Sequence, residues 1–140
     1  MVTINKASQR QDLFENVYDE IKAYATAGSY GTSTQPTVTA AYIDNEDSLP
    51  QIVIGRVNNK KEDPVFDRSN TTNNLIIVIN IYDKKNKNID VLSDNLEEYL
   101  YTKKFTGVTM NEWNEEDDIY ITNDNKIRSK TITVTYKNRK

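Results

Sequence analysis

The side chains that could perform chemistry in this chain are carboxylates, lysines and tyrosines. Its 140 residues include no Cys and no His, which excludes thiolate chemistry, a disulfide framework and the commonest general base. Zinc sites built from His and Cys are excluded for the same reason. With 4 Gly in the whole sequence, neither the GxGxxG pattern nor a phosphate-binding P-loop is present. The sequence therefore predicts no catalytic centre, no metal site of these kinds and no cofactor.

Acidic residues form short runs that invite comparison with metal-binding loops. The densest are Asp44–Asp47, Glu115–Asp118 and Asn123–Asn125. None has the alternating oxygen ligands, turn Gly and distal Glu of a calcium loop, so we interpret all three as solvated turns. Asp83 differs because it follows an apolar strand. Its expected role is to shape a turn or the entry into the next helix.

The C-terminal stretch 126–140 contains no acid, and its cationic residues are Lys126, Arg128, Lys130, Lys137, Arg139 and Lys140. A basic strand face suits nucleic acid, which keeps a small nucleic-acid-binding module as an alternative interpretation. A single-strand binder interleaves aromatic rings with its cations, and the stretch has one aromatic residue, Tyr136. Charge pairing with Glu115–Asp118 of the same or a neighbouring subunit is therefore favoured.

Charge and hydropathy narrow the class of protein further. The formal net charge of −3 argues against binding to nucleic acid or membranes through net charge. No run approaches the roughly 18 consecutive apolar residues that cross a membrane, and Met1–Asp12 lacks the apolar core of a secretory signal. A length of 140 residues suits a single domain, 1–140.

The N-terminal part is predicted to form a helix followed by a hairpin. Ser8 and Gln11 match a capping box, and the helix is expected to end just before Gly28, a C-cap residue. Residues 37–43 predict a strand whose hairpin partner is 51–57. The apolar stripe of the helix consists of Leu13, Phe14, Val17, Ile21 and Tyr24.

The most apolar segment, Leu75–Tyr82, predicts the central strand of a sheet because it is apolar on both faces. A helix follows, with Asn88 as its expected cap. The long polar segment Asn58–Asn74 precedes the strand, and a loop of this length is usually functional or mobile. The stripe of the second helix consists of Ile89, Leu92, Leu96 and Leu100.

The C-terminal part is predicted to form antiparallel strands joined by turns. Residues 105–113 predict a strand with a bulge at Gly107, Asn114–Asp118 an acidic turn, and 119–122 a short strand. In 126–136, apolar and Thr residues alternate. The predicted fold class is α+β, with a mixed, mostly antiparallel sheet and two helices packed on one face. The predicted order is helix-hairpin-strand-helix-hairpin.

This order of elements resembles the tail terminator, or tail-completion, proteins of long-tailed bacteriophages. The resemblance covers most of the chain, from Leu13 to Tyr136. It is carried by the N-terminal helix, a strand around Pro50–Gly55, the apolar strand Leu75–Asp83, the helix Ile89–Leu100 and the closing strand Lys130–Tyr136.

The resemblance implies a homo-oligomeric ring, usually of six subunits, that is stacked on the tail tube protein and meets the head–tail connector protein. It implies a virion protein at the head-proximal end of the tail, assembled in the host cytoplasm. DNA would pass through the lumen without specific binding, no membrane is involved, and no active site is expected. Other head–tail joining proteins, the stoppers and adaptors, share this size and order and remain an alternative.

By element order, the resemblance makes Asn58–Asn74 the arm that contacts a neighbouring subunit or the tube. The predicted interface residues in this arm are Lys60, Lys61, Glu62, Asp63, Val65, Phe66, Asp67 and Arg68.

Overall fold

The structure, a computed structural model of the chain, describes residues 6–26, 36–40, 50–61, 73–84, 86–105, 107–122 and 125–138. These residues form two helices and six strands in an α+β arrangement. In chain order, the elements are α1 (Lys6–Thr26), β1 (Thr37–Thr39), β2 (Gln51–Ile54), β3 (Asn58–Lys61), β4 (Asn73–Asp83), α2 (Asn86–Thr102), β5 (Val108–Thr122) and β6 (Asn125–Asn138).

One sheet contains all six described strands. Its order is β1-β2-β4-β6-β5, and β3 pairs with β4 on the same side as β2. Strand β4 is antiparallel to β2, β3 and β6, which confirms the prediction that the apolar segment is central. The sheet is mixed because β1 and β2 are parallel.

The parallel pairing of β1 with β2 contradicts the predicted hairpin. Thr37 lies opposite Gln51, and Thr39 lies opposite Val53. Parallel neighbours need a connection of about a dozen residues rather than a tight turn, and 40–50 supplies such a length. The turn-forming residues of this segment therefore do not imply a hairpin. The rest of the predicted strand 37–43 and the run Asp44–Asp47 lie outside the described residues.

Both helices cover one face of the sheet. Tyr24 of α1 and Tyr99 of α2 stack with their ring centroids 4.1 Å apart, and the Tyr99 hydroxyl donates to Glu20 Oε2 at 2.8 Å. These contacts place the helices side by side, as predicted. The covered core contains both predicted stripes, and its buried members include Leu13, Val17, Ile21, Ile89, Leu92, Leu96 and Leu100.

Strict alternation along β4 and β6 builds the sheet side of this core. Ile77 lies opposite Val134, and Ile79 lies opposite Ile132, and all four are fully buried. Tyr136 also faces the helices, where Phe105 meets its ring edge-on with the centroids 5.9 Å apart. The opposite face of these strands is half-buried and mixed in polarity; it includes Ile76, Val78, Asn80, Thr131 and Thr133.

The two helices begin earlier in the chain than predicted. Helix α1 begins at Lys6, so Ser8 lies inside the helix and the capping-box pattern does not mark its start. Helix α2 begins at Asn86, so Asn88 is not its cap. Asn88 instead donates from Nδ2 to Asp83 Oδ2 at 2.7 Å. Asn88 therefore contacts the preceding strand instead of capping the helix.

Strand β5 differs most from the predicted structure. The predicted acidic turn Asn114–Asp118 and the short strand 119–122 belong to one continuous strand. The strand irregularity lies between Met110 and Glu112, not at Gly107, which occupies the preceding turn with φ of 79°. Pairing with β6 along its whole length outweighs the poor strand propensity of consecutive acids. Thr122 lies opposite Asn125, so Asn125 of the predicted turn Asn123–Asn125 belongs to β6. Residues 123 and 124 lie outside the described residues.

The buried stripe of α2 allows a direct test of the core. We expect Leu96→Ala to lower the free energy of unfolding by about 2–5 kcal/mol, because it removes a fully buried side chain and leaves a cavity. The measurement is urea denaturation followed by circular dichroism. Tyr101→Ala is the control on the same helix, since Tyr101 is 74% exposed. Its effect should stay within about 0.5 kcal/mol, and equal losses for both variants would contradict the described packing.

Candidate functional site

The structure describes only the ends of the predicted interface arm. Asn58–Lys61 forms β3, and Asn73–Ile76 forms its partner in β4, so the ends of the predicted loop are strands. Lys60 and Lys61 occupy positions on this short strand. The other predicted interface residues, Glu62, Asp63, Val65, Phe66, Asp67 and Arg68, lie outside the described residues. Their role at an interface remains a prediction.

An acidic edge bounds the opposite side of the sheet. Strand β5 is the last strand in the sheet order, and its side chains from Asn114 to Ile119 are exposed. Alternation along the strand directs Glu115 and Asp117 toward the helix-covered face and Glu116 toward the other face. We define the acidic edge as Glu112, Glu115, Glu116, Asp117 and Asp118.

A buried lysine on β6 holds the helix-facing acids in place. The Lys130 side chain is 8% exposed, and its Nζ lies 3.0 Å from Asp90 Oδ1 of α2. The same Nζ lies 3.4 Å from Glu115 Oε2 and 3.7 Å from Asp117 Oδ1. This confirms the predicted pairing between the basic C-terminal stretch and the acidic run, and it places that pairing within one chain. A lysine surrounded by three carboxylates fixes β5 against α2.

Glu115 is the carboxylate with the most contacts in this cluster. Its Oε1 accepts hydrogen bonds from Ser93 Oγ and, at 3.0 Å, from Trp113 Nε1. Partial burial raises the pKa of Glu115, but these hydrogen bonds and the charge of Lys130 outweigh burial and hold the pKa below its ordinary value. Burial lowers the pKa of Lys130, but the hydrogen bond to Asp90 and the surrounding carboxylates raise it overall.

A cavity of about 410 Å³ opens beside the cluster, and its lining includes Asp90, Asp117, Asp118, Ile119, Arg128 and Ser129. Carboxylates dominate the polar groups, so the cavity suits a cationic side chain better than an anion. Among the described residues, no group of three or more acids is arranged to hold a metal ion.

A second, basic cavity lies on the other flank of the sheet. Its volume is about 260 Å³, and Arg10 and Phe14 of α1 line it together with Arg56 and Val57, which connect β2 to β3. Strands β2 and β3 pair with β4 on the side away from β6, so this cavity and the acidic edge occupy opposite flanks. Neither arginine forms an ion pair within the described part of the chain. We define the basic flank as Arg10 and Arg56.

Asp83 has the structural role that its position predicted. Its Oδ1 accepts from the Lys84 backbone N–H at 2.7 Å, and its Oδ2 accepts from Asn88. Both oxygens of this buried carboxylate are therefore used to turn the chain from β4 into α2.

The sequence did not reveal the basic flank. Arg10 and Arg56 are distant in the sequence and meet only because α1 packs over the β2–β3 junction. A signal for the Lys130 cluster did exist. Glu115 and Asp117 are two residues apart, the spacing that puts side chains on one face of a strand, whereas the acidic run by itself predicts a turn.

Comparison with solved structures relates this fold to known proteins. No protein family and no curated protein matches this chain. Among solved structures, it is similar to a chain in the virion of a native gene transfer agent particle, with a TM-score of 0.56 and 10% sequence identity. The alignment covers 92% of this chain and 96% of that chain. At such low identity the similarity shows a shared fold, and the coverage shows that it extends over nearly all of both chains.

No helix among the described residues is both long and apolar enough to span a membrane.

The Lys130 cluster predicts a pH dependence of stability. Because the folded pKa of Glu115 is below its ordinary value of 4.5, its carboxylate stabilises the fold above that value. The contribution is lost as the pH falls through the folded pKa. Between about pH 6 and about pH 3, we expect the free energy of unfolding of the unmodified chain to fall further than that of Glu115→Gln, as measured by urea denaturation.

The matched control for this experiment is the neighbouring Glu116→Gln. Its side chain is exposed and lies on the other face of β5, so this variant should follow the unmodified chain. If both variants had the same pH profile as the unmodified chain, Glu115 would not be the group responsible.

Proposed function

We propose that this chain is a structural protein of a phage-like virion and that it acts as the tail terminator. As such, it forms a ring of six subunits, caps the tail tube and provides the joint with the head connector. The observation that supports this most is the fold shared with a component of the gene transfer agent virion over 92% of the chain. The virion class rests on that similarity, and the specific role rests on the element order.

The mechanism of a terminator is steric. Tube growth stops when the last ring of tube subunits is covered by a protein whose outer surface accepts no further tube subunit. Such a role needs rigid, specific surfaces rather than reactive groups. A buried core under two helices and two charged flanks among the described residues support this proposal.

DNA must pass through such a ring without being retained. Each phosphate that is neutralised by a basic side chain adds affinity and salt dependence. A subunit with a net charge of −3 is suited to a lumen that DNA crosses freely. We do not assign residues to that lumen.

The structure weakens the alternative of a nucleic-acid-binding module. Lys130, in the middle of the basic stretch, is buried and engaged by three carboxylates. Tyr136, the aromatic residue of that stretch, is 1% exposed and packs in the core. Neither residue is available to contact phosphates or to stack on bases.

Ring formation is the first measurable consequence of this proposal. We expect the purified chain to form closed rings as its concentration is raised, visible as a discrete oligomer by native mass spectrometry and as rings in negative-stain images. The physical reason is that a terminator must match the symmetry of the tube that it covers. A stable monomer at every concentration that binds neither tail tubes nor connector rings would contradict the terminator role.

Deletion of the gene distinguishes a terminator from other joining proteins. Loss of a terminator removes the cap on the growing tube, so we expect overlong tails in electron micrographs of the resulting particles. Tails of normal length beside unattached heads would instead indicate a stopper or an adaptor. Restoring the gene from a plasmid controls for effects on neighbouring genes.

A further inference from the structure

We propose that the acidic edge of one copy docks against the basic flank of the next copy, and that this contact joins subunits around the ring. The inference rests on the proposed function, since it assumes that the chain assembles with itself. It adds the surface on each side of the contact and the direction in which copies follow one another.

Strand β5 forms one edge of the sheet. Strand β5 has 15 residues and pairs with β6 on one side. No described strand pairs with its other side. A long edge strand presents backbone N–H and C=O groups that can pair with another chain, and natural proteins usually shorten, cover or charge such edges. This edge is long and acidic, so its charge disfavours an acidic or neutral partner and favours a basic one.

The acidic edge and the basic flank of one chain carry opposite charges. The acidic edge carries five carboxylates, whereas Arg10 and Arg56 line a cavity on the opposite flank without an ion pair to any described residue. Contact between two acidic edges would place like charges opposite each other, which is unfavourable. A contact between unlike flanks is heterologous and therefore propagates from copy to copy until it closes.

Arg56 and Glu112 lie at nearly the same level across the sheet. The Gly55 backbone N–H donates to Val78 O at 2.8 Å. Strand β2 is antiparallel to β4, so Arg56, which follows Gly55, lies toward the level of Ile76. Ile76 lies opposite Thr135, and Thr135 lies opposite Glu112. A neighbouring copy that is displaced sideways, with little shift along the strands, therefore brings Arg56 toward Glu112.

One part of the acidic edge is held in place by contacts within the chain, and the other part is exposed to a neighbouring copy. The Lys130 cluster fixes the helix-facing acids Glu115 and Asp117. Glu112 and Glu116 are exposed and belong to the other face, where they take no part in that cluster. A fixed strand with exposed carboxylates loses little conformational entropy on docking, which favours a specific contact.

Charge reversal on each surface tests the proposal. The edge variant combines Glu112→Lys with Glu116→Lys, and the flank variant combines Arg10→Glu with Arg56→Glu. Each variant places like charges across the proposed contact, so we expect each alone to need a concentration roughly tenfold or more above that of the unmodified chain to assemble. The measurement is native mass spectrometry over a concentration series, with negative-stain images of the same samples.

Mixing the two variants provides the decisive arm of the experiment. The reversed edge of one variant is complementary to the reversed flank of the other, and the remaining contact is the native pairing. An equimolar mixture should therefore assemble again at concentrations where neither variant does, with the two alternating in a one-to-one ratio. Isotopic labelling of one variant allows that ratio to be read from the mass of the assembly.

A charge-matched control places the same number of changes away from both surfaces. Asp19→Lys with Glu98→Lys alters exposed acids on the two helices and should assemble like the unmodified chain. Circular dichroism checks that every variant is folded. If a double variant unfolds, the single changes Glu116→Lys and Arg56→Glu replace it in the same scheme.

The outcomes separate this inference from the proposed function. Normal assembly of both the edge and the flank variants, or recovery of no more than a dimer on mixing, would overturn the inference and leave a ring-forming terminator intact. A monomeric unmodified chain would also overturn the inference. The terminator role is tested independently by the length of the tails after gene deletion. Restored alternating assembly would support the inference. Weakening of the unmodified assembly by salt would add to that support.

Discussion

The pairing of β4 with β6 is the constraint on which the rest of the structure depends. Ten residues of β4, from Asn74 to Asp83, are opposite residues of β6 without interruption. This register places the fully buried residues of both strands, such as Ile77 and Val134, on one face. A slip by one position would turn one strand's buried residues to the other face. The two helices pack on the face defined in this way, and the outer strands attach to either side of the pair.

The buried Lys130 connects that central pair to the outermost strand. Its ammonium group is almost completely removed from water and lies within 3.7 Å of carboxylates from α2 and β5. A buried charge without such partners would be costly. The cluster therefore ties the position of β5 to that of α2, although most side chains in the middle of β5 are exposed. An edge strand with little apolar contact is ordered here by electrostatics and backbone pairing together.

The sequence correctly predicted the elements whose buried residues recur at a regular spacing. The prediction failed where the direction or length of a strand depends on the strand that pairs with it. The stripes of α1 and α2 and the alternation of β6 need only the chain's own spacing, and each was confirmed. The parallel direction of β1 and the continuity of β5 depend on distant strands, because a neighbour in the sheet can outweigh local propensity. The basic flank was missed for the same reason, since Arg56 meets α1 only after folding. The pairing of the basic C-terminal stretch with Glu115–Asp118, by contrast, was predicted and confirmed.

The irregularity between Met110 and Glu112 changes the phase of β5. Before it, even-numbered residues such as Val108 and Met110 face the core; beyond it, odd-numbered residues such as Trp113 do so. If the strand instead paired regularly through this point with every residue kept, the two faces of the distal strand would be exchanged. The run 115–118 is acidic at every position, so Lys130 would meet carboxylates in either phase, whereas Trp113 would turn outward. The tryptophan, rather than the charges, therefore determines which phase this strand adopts.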